Sequence, residues 1–220
     1  MIERVYRRAE RANSIDSVLV ATDDDRIADV VTKFGGNVCL TRSDHLSGSD
    51  RLAEVAESLT CDVIVNVQGD EPLLNPLLID AVLGRLLIDP SAHIATARCA
   101  ITDQSEFNNP HVVKVVVNSA EDALYFSRSP IPHQQDEATR SNNIFGFKHI
   151  GLYAYRRSIL LELGKLSPTT LEQTEQLEQL RALQYGYRIT TVETDDNPIG
   201  VDTAEDLDEV RRLVSTGVNE

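Results

Sequence analysis

The run Asp62-Val-Ile-Val-Asn-Val67 leads without a break into Gln68-Gly-Asp-Glu-Pro72, and this junction narrows the fold more than any other feature of the chain. A short continuous apolar run reads as a strand buried on both faces, the pattern of a parallel sheet covered by helices. Pro72 cannot donate to a sheet ladder and stops the strand. The same alternation recurs upstream. Ser17-Val-Leu-Val-Ala-Thr22 ends in Asp23-Asp24-Asp25, Arg26 to Phe34 suits a helix closed by Gly35-Gly36, Val38 to Thr41 is a short strand, and Ser49 to Leu59 is a helix. Before them, Ile2, Val5, Tyr6, Ala9 and Ala12 recur at helical spacing. The fold class expected is α/β, a mostly parallel, doubly wound sheet between helices.

The middle of the chain differs. His93 to Cys99, Val112 to Val117, Ala123 to Phe126 and Ile150 to Tyr155 read as strands with little helix between them. Residues 133–143 are polar and read as a loop. A helix is expected over Thr170 to Tyr185, started by the capping box Thr169-x-x-Glu172. A strand over Arg188 to Glu193 and a helix over Thr203 to Val214 follow. No linker divides the chain, so residues 1–220 are one domain, with roughly 93–165 a strand-rich subregion in the α/β core. At the front, no strand precedes the first helix, and neither GxGxxG nor GxxxxGK occurs. The sheet therefore reads as one whose first strand is missing.

Composition decides what this fold can meet. The 220 residues hold 35 Asp and Glu against 21 Lys and Arg, a net charge of −14. That field repels phosphate backbones and argues against nucleic-acid partners, while clustered carboxylates can recruit divalent cations. Cys39, Cys61 and Cys99 are widely spaced without a CxxC pair, and fit buried thiols in a reducing compartment. No apolar run approaches the ~18 residues of a membrane span, and charge fills the N-terminus where a signal peptide needs its apolar core. The expectation is a cytoplasmic protein without a membrane partner.

Several constellations carry chemistry. Asp70 follows the strand at 62–67, where open α/β sheets place ligands, and can hold Mg²⁺ beside a phosphate. Its simpler reading is a turn residue capping the next helix. Asp202, in Ile199-Gly-Val-Asp-Thr-Ala-Glu-Asp206, can join it, since Mg²⁺ typically takes only one or two protein carboxylates; Asp202 or Thr203 also suits the N-cap of the last helix. The loop Thr41-Arg-Ser-Asp-His-Leu-Ser-Gly-Ser-Asp-Arg51 offers hydroxyl and backbone donors to a base, ribose or phosphate, or is a surface loop with Ser49 or Asp50 as N-cap. Arg128, and His149 with Lys148, are basic groups for an acidic substrate, and Arg suits a carboxylate through its two parallel donors. Glu175 and Gln179 stand four apart, on one face of the expected 170–185 helix. Nothing here supports a hydrolase or zinc enzyme: HExxH, CxxC and a nucleophile elbow are all missing.

Taken in order, Val20-Ala-Thr-Asp23, Thr41-Arg-Ser-Asp-His45 with Ser47-Gly48 and Arg51-Leu-Ala-Glu54, Asn66-Val-Gln-Gly-Asp-Glu-Pro72, Tyr125-Phe-Ser-Arg128, His149-Ile-Gly-Leu-Tyr153, Leu177-Glu-Gln-Leu-Arg181 and Gly200-Val-Asp-Thr203 span nearly the whole chain. The set resembles the 3-deoxy-manno-octulosonate (Kdo) cytidylyltransferases. The resemblance implies a nucleotide-binding sheet with a smaller mixed-strand part for dimerisation and sugar binding. It also implies a reaction in which CTP and Kdo give CMP-Kdo and pyrophosphate, in a cytoplasmic homodimer serving lipopolysaccharide biosynthesis. It makes Asp70 and Asp202 the catalytic magnesium carboxylates. Thr22, Asp23, Arg42, His45, Ser47, Gly48 and Ser49 become nucleotide contacts, and Gln68, Arg128, His149, Tyr153, Glu175 and Gln179 the Kdo pocket, with Arg128 answering the sugar carboxylate. By the same resemblance, an opening strand and a loop gripping the CTP triphosphate are expected before Met1, which reads as an internal methionine or a truncation point. The 220 residues alone are then expected to have little activity. Cytidylyl transfer to sialic acid or an amino analogue of Kdo, or a non-catalytic sugar- or nucleotide-binding protein, are the alternatives.

Overall fold

Strand β7, Gly146–Arg156, organises the molecule. In chain order the elements leading to it are α1 Ile2–Glu10, β1 Val20–Thr22, α2 Asp25–Lys33, β2 Val38–Leu40, α3 Gly48–Ser58, β3 Val63–Asn66, α4 Pro76–Ile88, β4 Ile94–Ile101, α5 Gln104–Asn108, β5 Lys114–Val117 and β6 Ala123–Ser127. Beyond it come α6 Arg157–Leu163, α7 Thr170–Glu175, α8 Gln179–Gln184, β8 Ile189–Thr194 and α9 Ala204–Ser215. The computed structural model describes residues 1–45, 47–135, 143–201 and 203–216. Most of the polar 133–143 segment, and Asp202, lie outside the described residues.

Along one edge β7 pairs antiparallel with β4. Along the other it pairs with β5 near its start and with β3 near its end. The path β6-β5-β7-β4-β8 completes the main sheet, while β1 and β2 form a parallel two-stranded sheet. The α/β class is as the sequence leads one to expect. Parallel pairing joins β1 to β2 and β4 to β8, and the antiparallel run of β7 makes the main sheet mixed.

Alternation along the strands produces the two larger cores, one on each face. Ile64, Ile94, Tyr153, Tyr155 and Ile189 join one cluster with Leu160 of α6 and Leu180 of α8. Val63, Val65, Ala95, Ala97, Leu152 and Ala154 face the other, against Ala9 of α1 and Leu78, Ile79, Val82 and Leu86 of α4. Small residues on β4 let α4 approach closely. Sequence reading passes over α4, although Asn75 caps it, Pro76 opens it, and its buried residues recur at helical spacing.

Three expectations need correction. The helix over Thr170 to Tyr185 is two helices, because Gln176 takes the left-handed conformation (φ 55°, ψ 49°) and turns the chain. That turn lets Leu177 and Leu180 both enter the core, 6% and 0% exposed. Glu175 and Gln179 therefore do not share a helix face. The α3 cap is Ser47, whose hydroxyl accepts from the Asp50 amide, rather than Ser49 or Asp50. Of the three free cysteines only Cys99 is buried; Cys39 is half-buried and Cys61 exposed.

Candidate active site

The carboxyl end of β1 and the start of α3 are tied together locally. Thr22 is buried, its carbonyl accepts from the Thr41 amide at 2.9 Å, and its hydroxyl accepts from the Asp24 amide. Asp23 pairs with Arg51 at 3.2 Å, and Arg51 also donates to the Thr41 hydroxyl. The loop from Thr41 is thereby folded back onto α3. Arg42 and His45 both turn onto Glu54, and the His45 contact holds the Glu54 carboxyl below its ordinary value. These two residues support the loop.

The start of α3 is in turn joined to the start of α8. The Ser49 amide donates to Glu178 Oε2 at 3.1 Å, and Gly48 lies beside the same carboxylate. Ser49 also hydrogen-bonds the Tyr155 phenol, whose pKa burial raises, with the Glu178 charge adding to the effect. Tyr153, Tyr155, Glu178 and Gln179 line one small cavity of about 10 Å³, roughly the space of a single water. Arg181 then anchors α8, donating to buried Glu172 at 2.6 Å and to Asp50 at 3.0 Å.

Between these parts β7 supplies a floor. The β4–β7 register shifts between Thr96 and Ala97, so β7 carries the extra residues Gly151 and Leu152 opposite that step. Bulges of this kind re-aim side chains and recur beside active sites. Gly151 leaves room for Gln68, whose Cγ is 3.7 Å from where a Cβ would sit. His149 packs edge-to-face against Phe126 and tilted against Tyr153, at ring distances of 5.0 and 5.1 Å. Its Nε2 lies 2.9 Å from the Thr96 hydroxyl, and that hydroxyl lies 2.8 Å from the Leu152 carbonyl. Thr96 has one proton, and a carbonyl can only accept it. With that proton on the Leu152 or Ile150 carbonyl, His149 Nε2 is the donor to Thr96 and Nδ1 is left as an acceptor. Burial pushes the His149 imidazole from 6.5 down to about 3, so it is neutral at pH 7.

Asp70 lies in the turn after β3, where the expected ligand position falls. Arg4 donates to the Pro72 carbonyl at 3.2 Å and Arg8 to the Leu74 carbonyl at 2.5 Å, so α1 braces this turn. The Val201 amide donates to the Asp70 carbonyl at 2.9 Å, which brings Val201 to this turn. Thr203 caps α9 through a capping box with Asp206. Asp202 itself lies outside the described residues, and among those described no group of three or more His, Cys, Asp or Glu could hold a metal ion. A cavity of about 570 Å³ opens behind the turn, between Arg8, Asn75, Asp196 and Leu213, and none of the candidate residues lines it.

On the far side of the floor, Arg128 spends three donors on backbone carbonyls, those of Glu175 (2.9 Å), Pro110 (3.2 Å) and Gln176 (3.4 Å). Glu175 accepts from the Ser127 hydroxyl at 2.6 Å and the Arg128 amide at 2.9 Å. Burial pushes the Glu175 carboxyl up, but these bonds and the Arg128 charge win and hold it below its ordinary value.

A family model described as Cytidylyltransferase matches residues 1–189. A protein of Pelobacter propionicus named 3-deoxy-manno-octulosonate cytidylyltransferase is 50% identical over 218 residues, covering 96% of this chain and 86% of its own. A protein of the same name from Geobacter metallireducens is 48% identical over 222 residues, covering 98% and 87%. The chain belongs to the 3-deoxy-manno-octulosonate cytidylyltransferase family. A solved structure of CMP:2-keto-3-deoxy-manno-octonic acid synthetase complexed with CTP is 42% identical and superposes with a TM-score of 0.92, covering 98% of this chain and 88% of that one. A 4-diphosphocytidyl-2C-methyl-D-erythritol synthase from Anaerococcus prevotii, 12% identical with a TM-score of 0.63 over 97% of this chain and 85% of its own, shares the fold alone.

In this cytidylyltransferase, sequence reasoning passes over several residues that shape the site. Glu178 joins the α3 and α8 starts, Thr96 hydrogen-bonds His149 Nε2, and Glu54 holds the 41–45 loop. Glu178 sits inside the Leu177–Arg181 motif and Glu54 closes Arg51-Leu-Ala-Glu54, so the motifs contained them. Thr96 had no local signal, because its partner is 53 residues away.

Proposed function

We infer that this chain transfers the cytidylyl group of CTP to Kdo and releases pyrophosphate. The observation that carries the reading is the 42%-identical synthetase complexed with CTP, whose fold covers 98% of this chain. The geometry agrees: hydroxyl and amide donors gather at the ends of β1 and α3, and an amide, an imidazole and phenols gather over β7. In the reaction the C2 hydroxyl oxygen of Kdo bonds to the α-phosphorus. The bond from that phosphorus to the bridging oxygen breaks, pyrophosphate leaves with the electron pair, and the hydroxyl proton passes to solvent. Such transfers depend on positioning and charge neutralisation.

Thr22, Asp23, Ser47, Gly48 and Ser49 take the nucleotide side, on a loop that Arg42 and His45 brace through Glu54. Gln68, Tyr153 and Gln179 take the sugar, and neutral His149 accepts from a sugar hydroxyl at Nδ1. Arg128 keeps two of its five donors for the sugar carboxylate, with Glu175 holding its backbone. Asp70 and Asp202 are the residues that would hold Mg²⁺; two hard carboxylates fit an ion that keeps most of its waters, and the Val201–Asp70 hydrogen bond supports their joint use. When bound there, the ion would neutralise phosphate charge.

The working form we infer is a cytoplasmic homodimer. Three free thiols support a reducing compartment, and Leu124, 60% exposed on edge strand β6, supports a self-contact there. The testing experiment measures pyrophosphate release with CTP and a panel of Kdo, sialic acid and an amino analogue of Kdo. Release that requires both CTP and Kdo is expected, even where its rate is low. Equal release without any sugar acid, or a preference for sialic acid, would overturn the reading.

A further inference from the structure

A lysine stands in the run Val112-Val-Lys-Val-Val-Val117, an otherwise apolar strand. Lys114 is fully buried, 0% exposed, in register with Ser127 of β6 and Lys148 of β7. Its ammonium donates to the carbonyls of Asn109 (2.9 Å), Val112 (2.5 Å) and Arg128 (2.6 Å). An ammonium has three N–H donors, and all three find a backbone oxygen. Burial and the nearby Arg128 charge lower its pKa, with Glu175 opposing them. Burying a lysine without a carboxylate partner is costly, and a valine would fit a strand more cheaply. Something specific must be held there.

What it holds is Arg128. The Lys114 ammonium takes the Arg128 carbonyl, while the Arg128 guanidinium takes Pro110, Glu175 and Gln176. Two cations thus bind six carbonyls from three segments: the turn at 109–112, the end of β6, and the junction of α7 and α8. Resting on the reading that Arg128 meets the sugar carboxylate, we propose that Lys114 is a positioning residue for the sugar-acid side of the site, setting Arg128 and through it the α7–α8 junction. Lys114 touches no substrate. It acts by fixing where the two remaining Arg128 donors point.

The test compares Lys114→Met, which keeps the stem and removes the cation, with Lys114→Gln, which keeps two donors and is the fallback if the first does not fold. Initial rates are measured against CTP and against Kdo. The expectation is a Kdo KM raised about tenfold, as for a lost charge-assisted contact, with the CTP KM changed less than about twofold. Arg128→Ala should raise the Kdo KM at least as far. Hydrogen–deuterium exchange reads the same tie without turnover: amides at 111–113, 127–129 and 176–179 should exchange faster in either variant, and those of β1 and β2 should not. Equal loss on both substrates, or faster exchange spread over the whole chain, would overturn the proposal and leave Lys114 a general stabiliser. Unchanged kinetics and unchanged exchange would overturn it as well. If the wild-type chain shows no Kdo-dependent release, the functional reading falls, while the exchange pattern still decides whether Lys114 positions Arg128.

Discussion

Protonating His149 should unfold this protein more readily than its acidic surface alone would. Burial holds its imidazole at about 3 in the folded chain, against 6.5 when free. Between those values the unfolded chain binds more protons than the folded one, so stability rises with pH across the window. The His149 contribution is fully present above about pH 6.5 and is lost as pH falls towards 3. At ~1.36 kcal/mol per unit, lowering the pH from about 6.5 to 4.5 should remove about 2–3 kcal/mol. That result needs only a folded value below about 4.5, so it survives an error of a unit. Stopping at 4.5 also leaves out Asp24 and Asp89, which their hydrogen bonds to Arg26 and Ser91 hold at about 2 and whose contribution is lost only at lower pH. The assay is urea unfolding of the wild type and of His149→Gln from pH 7.5 to 4.5. The stability difference between them should shrink by about 2–3 kcal/mol on acidification. A difference flat to within about 0.5 kcal/mol would show that the imidazole is hydrated in the folded chain. His149 Nδ1 would then not be held as a neutral acceptor.

Two other substitutions separate the site from the scaffold. Asp70→Asn should lower turnover about a hundredfold or more, with stability within about 1 kcal/mol of wild type, checked by steady-state rates across a Mg²⁺ titration and by thermal melts. Leu180→Ala should do the reverse: the side chain is 0% exposed in the α8-side core, and its truncation should cost about 3–5 kcal/mol by urea unfolding, with the KM values of the remaining folded protein unchanged.

How far the sequence carries depends on the range of the forces involved. The strand at Val63–Asn66 and its turn to Asp70, the α7 capping box and the helix from Ala204 were legible because each is written in neighbouring residues. The α4 helix was equally legible in Asn75-Pro76 and the spacing of Leu78, Ile79, Val82, Leu83 and Leu86. The break at Gln176 was not legible. No glycine or proline marks it, and the left-handed residue is held by the burial of Leu177 and Leu180 in a core assembled from distant strands. The site shows the same division. Motifs supplied Gln68, His149, Tyr153 and Arg128, while the joining contacts run between Ser49 and Glu178, 129 residues apart, and between Arg128 and Glu175, 47 apart. The carbonyls that occupy most of the Arg128 guanidinium are backbone atoms and leave no trace in residue types.

The central claim is that a phosphodiester forms between CMP and the anomeric oxygen of Kdo. Phosphorus NMR of CTP, Mg²⁺ and Kdo labelled with carbon-13 at C2 tests it directly. With the chain present, a new phosphodiester signal coupled to the labelled carbon should grow in step with pyrophosphate, one for one. Pyrophosphate accompanied by free CMP and no carbon-coupled phosphorus would contradict the account.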